Sequence, residues 1–175
     1  KAATEDFAQL SGRDRETKYS YSMERLVALL DYCTFPKVER ARLFSRVVFN
    51  YLVGNEDMHL KNYSLITRDG KVELAPAYDF LSTTVAYAAL GRSMREMEEL
   101  ALPLGGKKRN ISRRLLVDYF ASEWLGLPAG QIEHSLTSLG EAMSRWPEQI
   151  RTCFLPDSQK EQYLELIESR RGVLG

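Results

Sequence analysis

A mainly α fold with one small β-hairpin is what the sequence predicts, and three observations predict it. Apolar residues recur every three or four positions through most of the chain, the spacing of helices that bury one face. Only residues 63–67 and 71–74 alternate instead, and the Asp69-Gly70 pair between them favours a tight hairpin turn. A length of 175 residues, with 44% hydrophobic and 27% charged side chains, suits a single soluble domain with its own core.

The elements follow in order. Thr4, three positions ahead of Phe7, with Glu5 and Asp6 in a first turn and Gly12 after Leu10, reads as a short capped helix. Residues 13–20 are polar and expected to be irregular. Met23, Leu26, Val27, Leu30 and Cys33 form a helical stripe, punctuated by Pro36. In 38–53 the apolar positions Leu43, Phe44, Val47, Val48, Tyr51 and Leu52 cover so much circumference that this helix is expected to be central, with Gly54 stopping it.

Beyond the hairpin the pattern is less even. Residues 87–99 are ambiguous, and 100–108, with Pro103 and Gly105-Gly106, read as a short extended stretch and turn. The basic cluster Lys107-Lys108-Arg109 reads as a solvated turn or a contact for an acidic partner. Asn110 or Ser112 caps a helix to about Leu125, with Leu115, Leu116, Tyr119, Phe120 and Trp124 inward and Gly126 ending it. Pro128 opens the next helix, whose stripe Ile132, Leu136, Leu139, Met143 and Trp146 runs to Pro147. Ser158-x-x-Glu161 is a capping-box signature ahead of Tyr163, Leu164 and Ile167.

Composition limits the partners. Lys plus Arg and Asp plus Glu both number 24, so no global basic field draws this chain to nucleic acid or anionic membrane. No apolar run approaches the ~18 residues of a spanning helix, so no membrane partner is expected either. Cys33 and Cys153 sit far apart in helical patterns, which favours reduced thiols and a cytoplasmic compartment.

The chemistry concentrates in residues 54–62. This stretch sets two carboxylates, an imidazole, an ammonium and two carboxamides directly after an apolar helix. Asp57 and Asn62 are five positions apart, the spacing of a protein-kinase catalytic loop, where the Asp accepts the substrate hydroxyl proton and the Asn holds magnesium. Asp79 follows the hairpin 22 positions after Asp57, where a kinase keeps its metal-binding Asp. The hairpin is therefore expected to return Asp79 to the loop, so that Asp57, Asn62 and Asp79 converge in one cleft.

The run Gly54-Asn55-x-Asp57-x-His59-x-Lys61-Asn62 followed by Pro76-x-Tyr78-Asp79 resembles the HipA family of bacterial toxin serine/threonine kinases, in their helical C-terminal lobe. The likeness extends from residues 4–9 through 100–108 to the terminal helices. It implies a kinase-like helical C-terminal lobe, residues 1–175, whose hairpin lies between a catalytic loop and a metal-binding Asp. ATP and Mg2+ would be its cofactors. Asp57, His59 and Lys61 would be catalytic: Asp57 the base, His59 shaping the loop or touching phosphate, Lys61 neutralising phosphate charge. Asn62 and Asp79 would hold the metal, and Asp6 and Gln9, just after the hinge between lobes, would line the nucleotide cleft with His59.

The same resemblance implies a protein hydroxyl as acceptor, with aminoacyl-tRNA synthetases the family precedent, and an antitoxin of the HipB type as partner. The expected parts of a whole kinase are incomplete. There is no Gly-x-Gly-x-x-Gly loop and no strand-borne Val-Ala-x-Lys, and Gly105-Gly106-Lys107 lacks P-loop spacing. After Asp79 comes Phe80-Leu81 rather than Phe-Gly. The N-terminal lobe that covers the nucleotide is expected to lie outside this chain. Two other readings share the loop: a small-molecule or lipid-type kinase lobe, since Asp57-x-His59-x-x-Asn62 also resembles phosphatidylinositol-type kinases, and a non-catalytic binding lobe.

Overall fold

The structure, a computed structural model, describes residues 2–174. Helix α3, Pro36–Val53, is the axis of the molecule. Pro36 suits a first turn that has no intrahelical use for its missing N–H, and Gly54, at φ +75°, turns the chain out in the left-handed conformation. Leu43, Phe44, Val47, Val48, Tyr51 and Leu52 are all buried, and each stabilises the fold by ~1.5–3 kcal/mol relative to exposure. Helices α5, Ala129–Met143, and α7, Asp157–Leu174, pack along its sides. Arg170 of α7 is buried, donates to the Tyr51 carbonyl and lies 5.1 Å from that ring's centroid, setting a cation at the α3 C-terminus.

Strands β2, Ser64–Arg68, and β3, Lys71–Leu74, form the expected antiparallel hairpin. Both turn residues, Asp69 at φ +49° and Gly70 at φ +72°, take the left-handed conformation of the turn type that Asp-Gly favours. A third strand is an addition to the sequence reading. Residues Ala3–Asp6 are not a first helical turn but strand β1, paired with β2 so that Thr4 faces Ile66 and Asp6 faces Ser64. Pairing with an open sheet edge satisfies backbone groups that a one-turn helix would leave to solvent, and it prevails over the local cap signal. Helix α1 is accordingly only Phe7–Leu10, capped by Asp6.

One face of α3 holds the end of the hairpin. Glu39, Arg42 and Arg46 recur at helical spacing: buried Glu39 accepts from Leu74 N at 3.1 Å, Arg42 pairs with Glu39 at 3.0 Å, and Arg46 Nη2 donates to Ala75 O at 2.7 Å. The chain leaving β3 therefore has a fixed direction.

Helix α2, Met23–Ala28, begins at its Ser22 cap and tightens into a 3₁₀ turn, Leu29–Tyr32. The ambiguous stretch 87–99 resolves into the last residues of α4, Thr83–Ala88, and a 3₁₀ turn at Met94–Glu96. Residues Leu115–Trp124 are π-helical; Leu125 N reaches back five residues to Phe120 O at 2.9 Å, and Gly126 ends the segment at φ +64°. The stripe expected to run unbroken to Pro147 divides into α5 and α6, Trp146–Thr152, because Pro147 is tolerated only in a first turn. Helix α7 starts at Asp157, one residue ahead of the Ser158 signature, with Gln159 N and Lys160 N both donating to Pro156 O at 3.0 Å. Lys108 of the basic cluster pairs with Glu98 at 3.2 Å, and Arg109 donates to Arg95 O at 3.0 Å. Cys33 and Cys153 are free thiols.

Candidate active site

The polar loop starts where α3 stops and is fastened before it turns. Gly54 O accepts from Thr84 N at 3.0 Å, and Glu56 N donates to Thr83 Oγ1 at 2.8 Å, so α4 forms one wall. A side chain at Gly54 would crowd its neighbours: a Cβ there would stand 2.6 Å from Leu166 Cδ2 and 3.0 Å from Thr84 Cβ. Asn55, 2% exposed, is the loop's fastener. Its Nδ2 donates to Asn50 Oδ1 at 2.8 Å and to Asp79 O at 3.1 Å, while its Oδ1 accepts from Asp57 N at 3.2 Å. One buried carboxamide thus gathers the main chain of both Asp57 and Asp79.

A second tie lies one residue away on each strand of chain. Tyr78 OH donates to Lys61 O at 2.8 Å and sits 2.5 Å from Ser64 Oγ, which draws the neighbour of Asp79 to the neighbour of Asn62. Asn62 itself is 5% exposed and donates Nδ2 to Asp57 O at 3.1 Å, leaving Oδ1 without a protein donor among the described residues. Asp79 is exposed and takes φ +59°, a conformation that costs an ordinary side chain ~1–2 kcal/mol and that Asp tolerates better than most.

His59 is 6% exposed. Lys18 Nζ lies 2.7 Å from its Nε2; an ammonium only donates, so Nε2 accepts and the neutral ring carries its proton on Nδ1. That Nδ1 is buried with no hydrogen-bond partner among the described residues. Burial first, and the Lys18 charge second, push the His59 pKa below the usual histidine value. The Tyr19 ring stands edge-on to the imidazole at 5.0 Å, and its hydroxyl donates to Asp57 Oδ1. Burial and the Asp57 carboxylate raise the Tyr19 pKa, so the phenol keeps the proton it donates.

Lys18 and Tyr19 are the site residues that sequence reasoning missed. The available signal was Tyr19 itself, the one aromatic in the polar stretch 13–20, although its side chain stays partly exposed. Backbone pairing completes the latch, with Leu60 N donating to Lys18 O at 3.3 Å.

Three of the expected residues have other engagements. Asp6 and Gln9 form a reciprocal cap on α1: Asp6 Oδ1 accepts from Gln9 N at 2.8 Å and Gln9 Oε1 from Asp6 N at 2.9 Å. The remaining oxygen of Asp6 pairs with Lys61 Nζ at 2.7 Å. This pair joins α1 to the loop beside Asn62.

Comparison with known proteins follows the same residues. The profile of the HipA-like C-terminal domain matches residues 1–146. "Putative kinase Y4dM" of Sinorhizobium fredii is 35% identical over 125 residues, covering 65% of this chain and 30% of that protein. "Serine/threonine-protein kinase toxin HipA" of Shewanella oneidensis is 34% identical over 73 residues, covering 41% of this chain and 17% of its own. HipA of S. oneidensis MR-1, solved in complex with HipB and its operator DNA, shares the fold with a TM-score of 0.73 at 22% identity, over 97% of this chain and 43% of that one. The chain spans less than half the length of each of these relatives. The matched range includes the loop, the hairpin and the Asp79 segment, and on that match the chain belongs to the HipA-like C-terminal domain family.

Proposed function

We propose that this chain is the catalytic lobe of a HipA-like serine/threonine kinase, which transfers the γ-phosphoryl group of ATP to a protein hydroxyl as the toxin of a toxin–antitoxin pair. The observation that carries the reading is Asn55, whose one side chain binds the backbone of Asp57 and of Asp79.

In this reading Asp57 accepts the proton of the acceptor hydroxyl. Tyr19 donates to one carboxylate oxygen, fixing the carboxylate and leaving the other oxygen for the acceptor. Asn62 Oδ1 and the exposed Asp79 carboxylate are hard oxygen donors, and that donor set fits magnesium, which takes one or two such ligands beside nucleotide phosphates. When bound, magnesium with ATP supplies the neutralisation of charge on the phosphate oxygens. His59, whose Nε2 accepts from Lys18, shapes the loop, and Lys61 offers its ammonium by exchanging Asp6 for phosphate. Asp6 and Gln9 hold the α1 edge of the nucleotide cleft.

The nucleotide-covering elements belong, in this proposal, to an N-terminal lobe beyond this chain, and the antitoxin to the HipB type, by analogy with the S. oneidensis complex. No helix among the described residues is long and apolar enough to cross a membrane. With both cysteines free, we place the protein in the cytoplasm.

The test is phosphoryl transfer from ATP by the complete protein, with protein and metabolite acceptors in parallel. Magnesium-dependent labelling of a serine or threonine is the expected result; labelling of metabolites alone would overturn the protein-kinase reading. Calorimetry with ATP and magnesium should give weak or no binding to the 175-residue chain and restored binding when the N-terminal lobe is supplied.

A further inference from the structure

A cavity of about 570 Å³ lies between α3, the hairpin and α5, and shares no lining residue with the loop or Asp79. Eight of its twelve lining residues carry polar side chains, Arg42, Arg46, Arg68, Gln131, His134 and Ser135 among them. Arg42 is already compensated, by Glu39 at 3.0 Å and by Glu73 at 3.4 Å, the one carboxylate in the lining. Arg46 and Arg68 make no ion pair among the described residues. Arg46 spends Nη2 on Ala75 O, and its Nη1 is buried with no hydrogen-bond partner.

A half-buried guanidinium without a carboxylate carries a cost, since a charge drawn from water needs an opposite charge or a full set of hydrogen bonds. Burial pulls the Arg46 pKa down, yet guanidinium stays protonated at neutral pH. An occupant that offsets these charges is an acceptor, and preferably an anion. The volume admits more than a water, and with Arg42 offset by Glu73 the lining keeps two guanidinium groups without an ion pair among the described residues, the donor type that suits a tetrahedral oxyanion.

We infer that this cavity is a binding site for a phosphate-class oxyanion, held between the guanidinium groups of Arg46 and Arg68, with His134 and Ser135 on the α5 side. The ligand is free phosphate or the phosphoryl group of a small phosphomonoester. Because the other nitrogen of Arg46 holds Ala75, an occupant also braces the chain that leads to Asp79.

The site is tested on the chain itself by following the His134 ring resonances while sodium phosphate is titrated against sodium chloride at matched ionic strength. A saturable shift with phosphate and none with chloride is expected. Arg46→Gln should weaken binding at least tenfold. Because that change also releases Ala75, Arg68→Gln, at an exposed position, is the second variant, expected to weaken binding several-fold while leaving the melting temperature unchanged. O-phospho-L-serine in place of phosphate separates the two sources: tighter binding supports a phosphomonoester ligand, equal binding supports the free anion. Absence of a saturable shift, or phosphate affinity unaltered in both variants, overturns the proposal. None of these readings depends on catalysis, so they stand apart from the kinase assignment.

Discussion

Asn55 Nδ2 stands 3.1 Å from the carbonyl oxygen of Asp79, across 24 residues of chain and an entire hairpin. Replacing Asn55 by Ala removes that bond together with those to Asn50 and Asp57 N. Of the stranded partners Asn50 is buried and Asp57 half-buried, so a loss of about 1–3 kcal/mol is expected for each of these two left unsatisfied, and less at the exposed Asp79. Urea unfolding should show the lower midpoint, and in the complete protein the magnesium titration of nucleotide binding should move to higher concentration. A variant as stable as wild type with an unmoved titration would remove Asn55 from this role.

Asp57→Asn keeps the size of a half-buried loop side chain and opens no cavity, so the melting temperature should hardly change. Turnover in the complete protein should fall by ~10²- to 10⁴-fold, the usual contribution of a positioned base. Near wild-type turnover would show that another group takes the proton.

Tyr19→Phe deletes one hydroxyl and retains the ring against His59. A hydrogen bond to a charged group contributes about 1.5–3 kcal/mol, so turnover should drop by at most ~100-fold, less than for Asp57→Asn. The loss should appear in kcat with KM for ATP little changed. A change confined to KM would mean that Tyr19 serves nucleotide binding instead.

The His59 pKa is pushed below its ordinary value of about 6.5, which fixes the sign of a pH effect. Above that value both folded and unfolded chains hold neutral imidazole, and the stability this group contributes is complete. As pH falls, the unfolded chain takes up its proton first, so the contribution is lost between about 6.5 and the depressed folded value. Lys18→Met removes the second cause of the depression, and the His59 titration, followed by imidazole NMR, should move upward. A downward or null shift would exclude Lys18 as a cause.

Gly54→Ala meets two penalties at once, a left-handed backbone at φ +75° and a Cβ 2.6 Å from Leu166 Cδ2. Together they should cost at least about 2 kcal/mol, measured by thermal or urea unfolding. An unchanged midpoint would mean that α7 yields at Leu166 without cost.

The sequence by itself determined what depends on neighbours along the chain. The buried stripe of α3, its Gly54 stop, the Asp69-Gly70 turn and the spacing from Asp57 to Asn62 are all local, because helix period, left-handed glycine and turn chemistry act within a few residues. The tertiary structure decided everything that joins distant segments. Residues Ala3–Asp6 became a strand because the edge of β2 was there to receive them, a partner some 60 positions away that no local cap signal reveals. Lys18 and Tyr19 reach His59 and Asp57 across 41 and 38 residues, and Asp6 reaches Lys61 across 55. Such contacts leave no period in the sequence, since one polar residue meets another only after loop closure has been offset by burial elsewhere. The polar loop could therefore be read in advance as a candidate site, while the side chains that hold it in position became visible only in the fold.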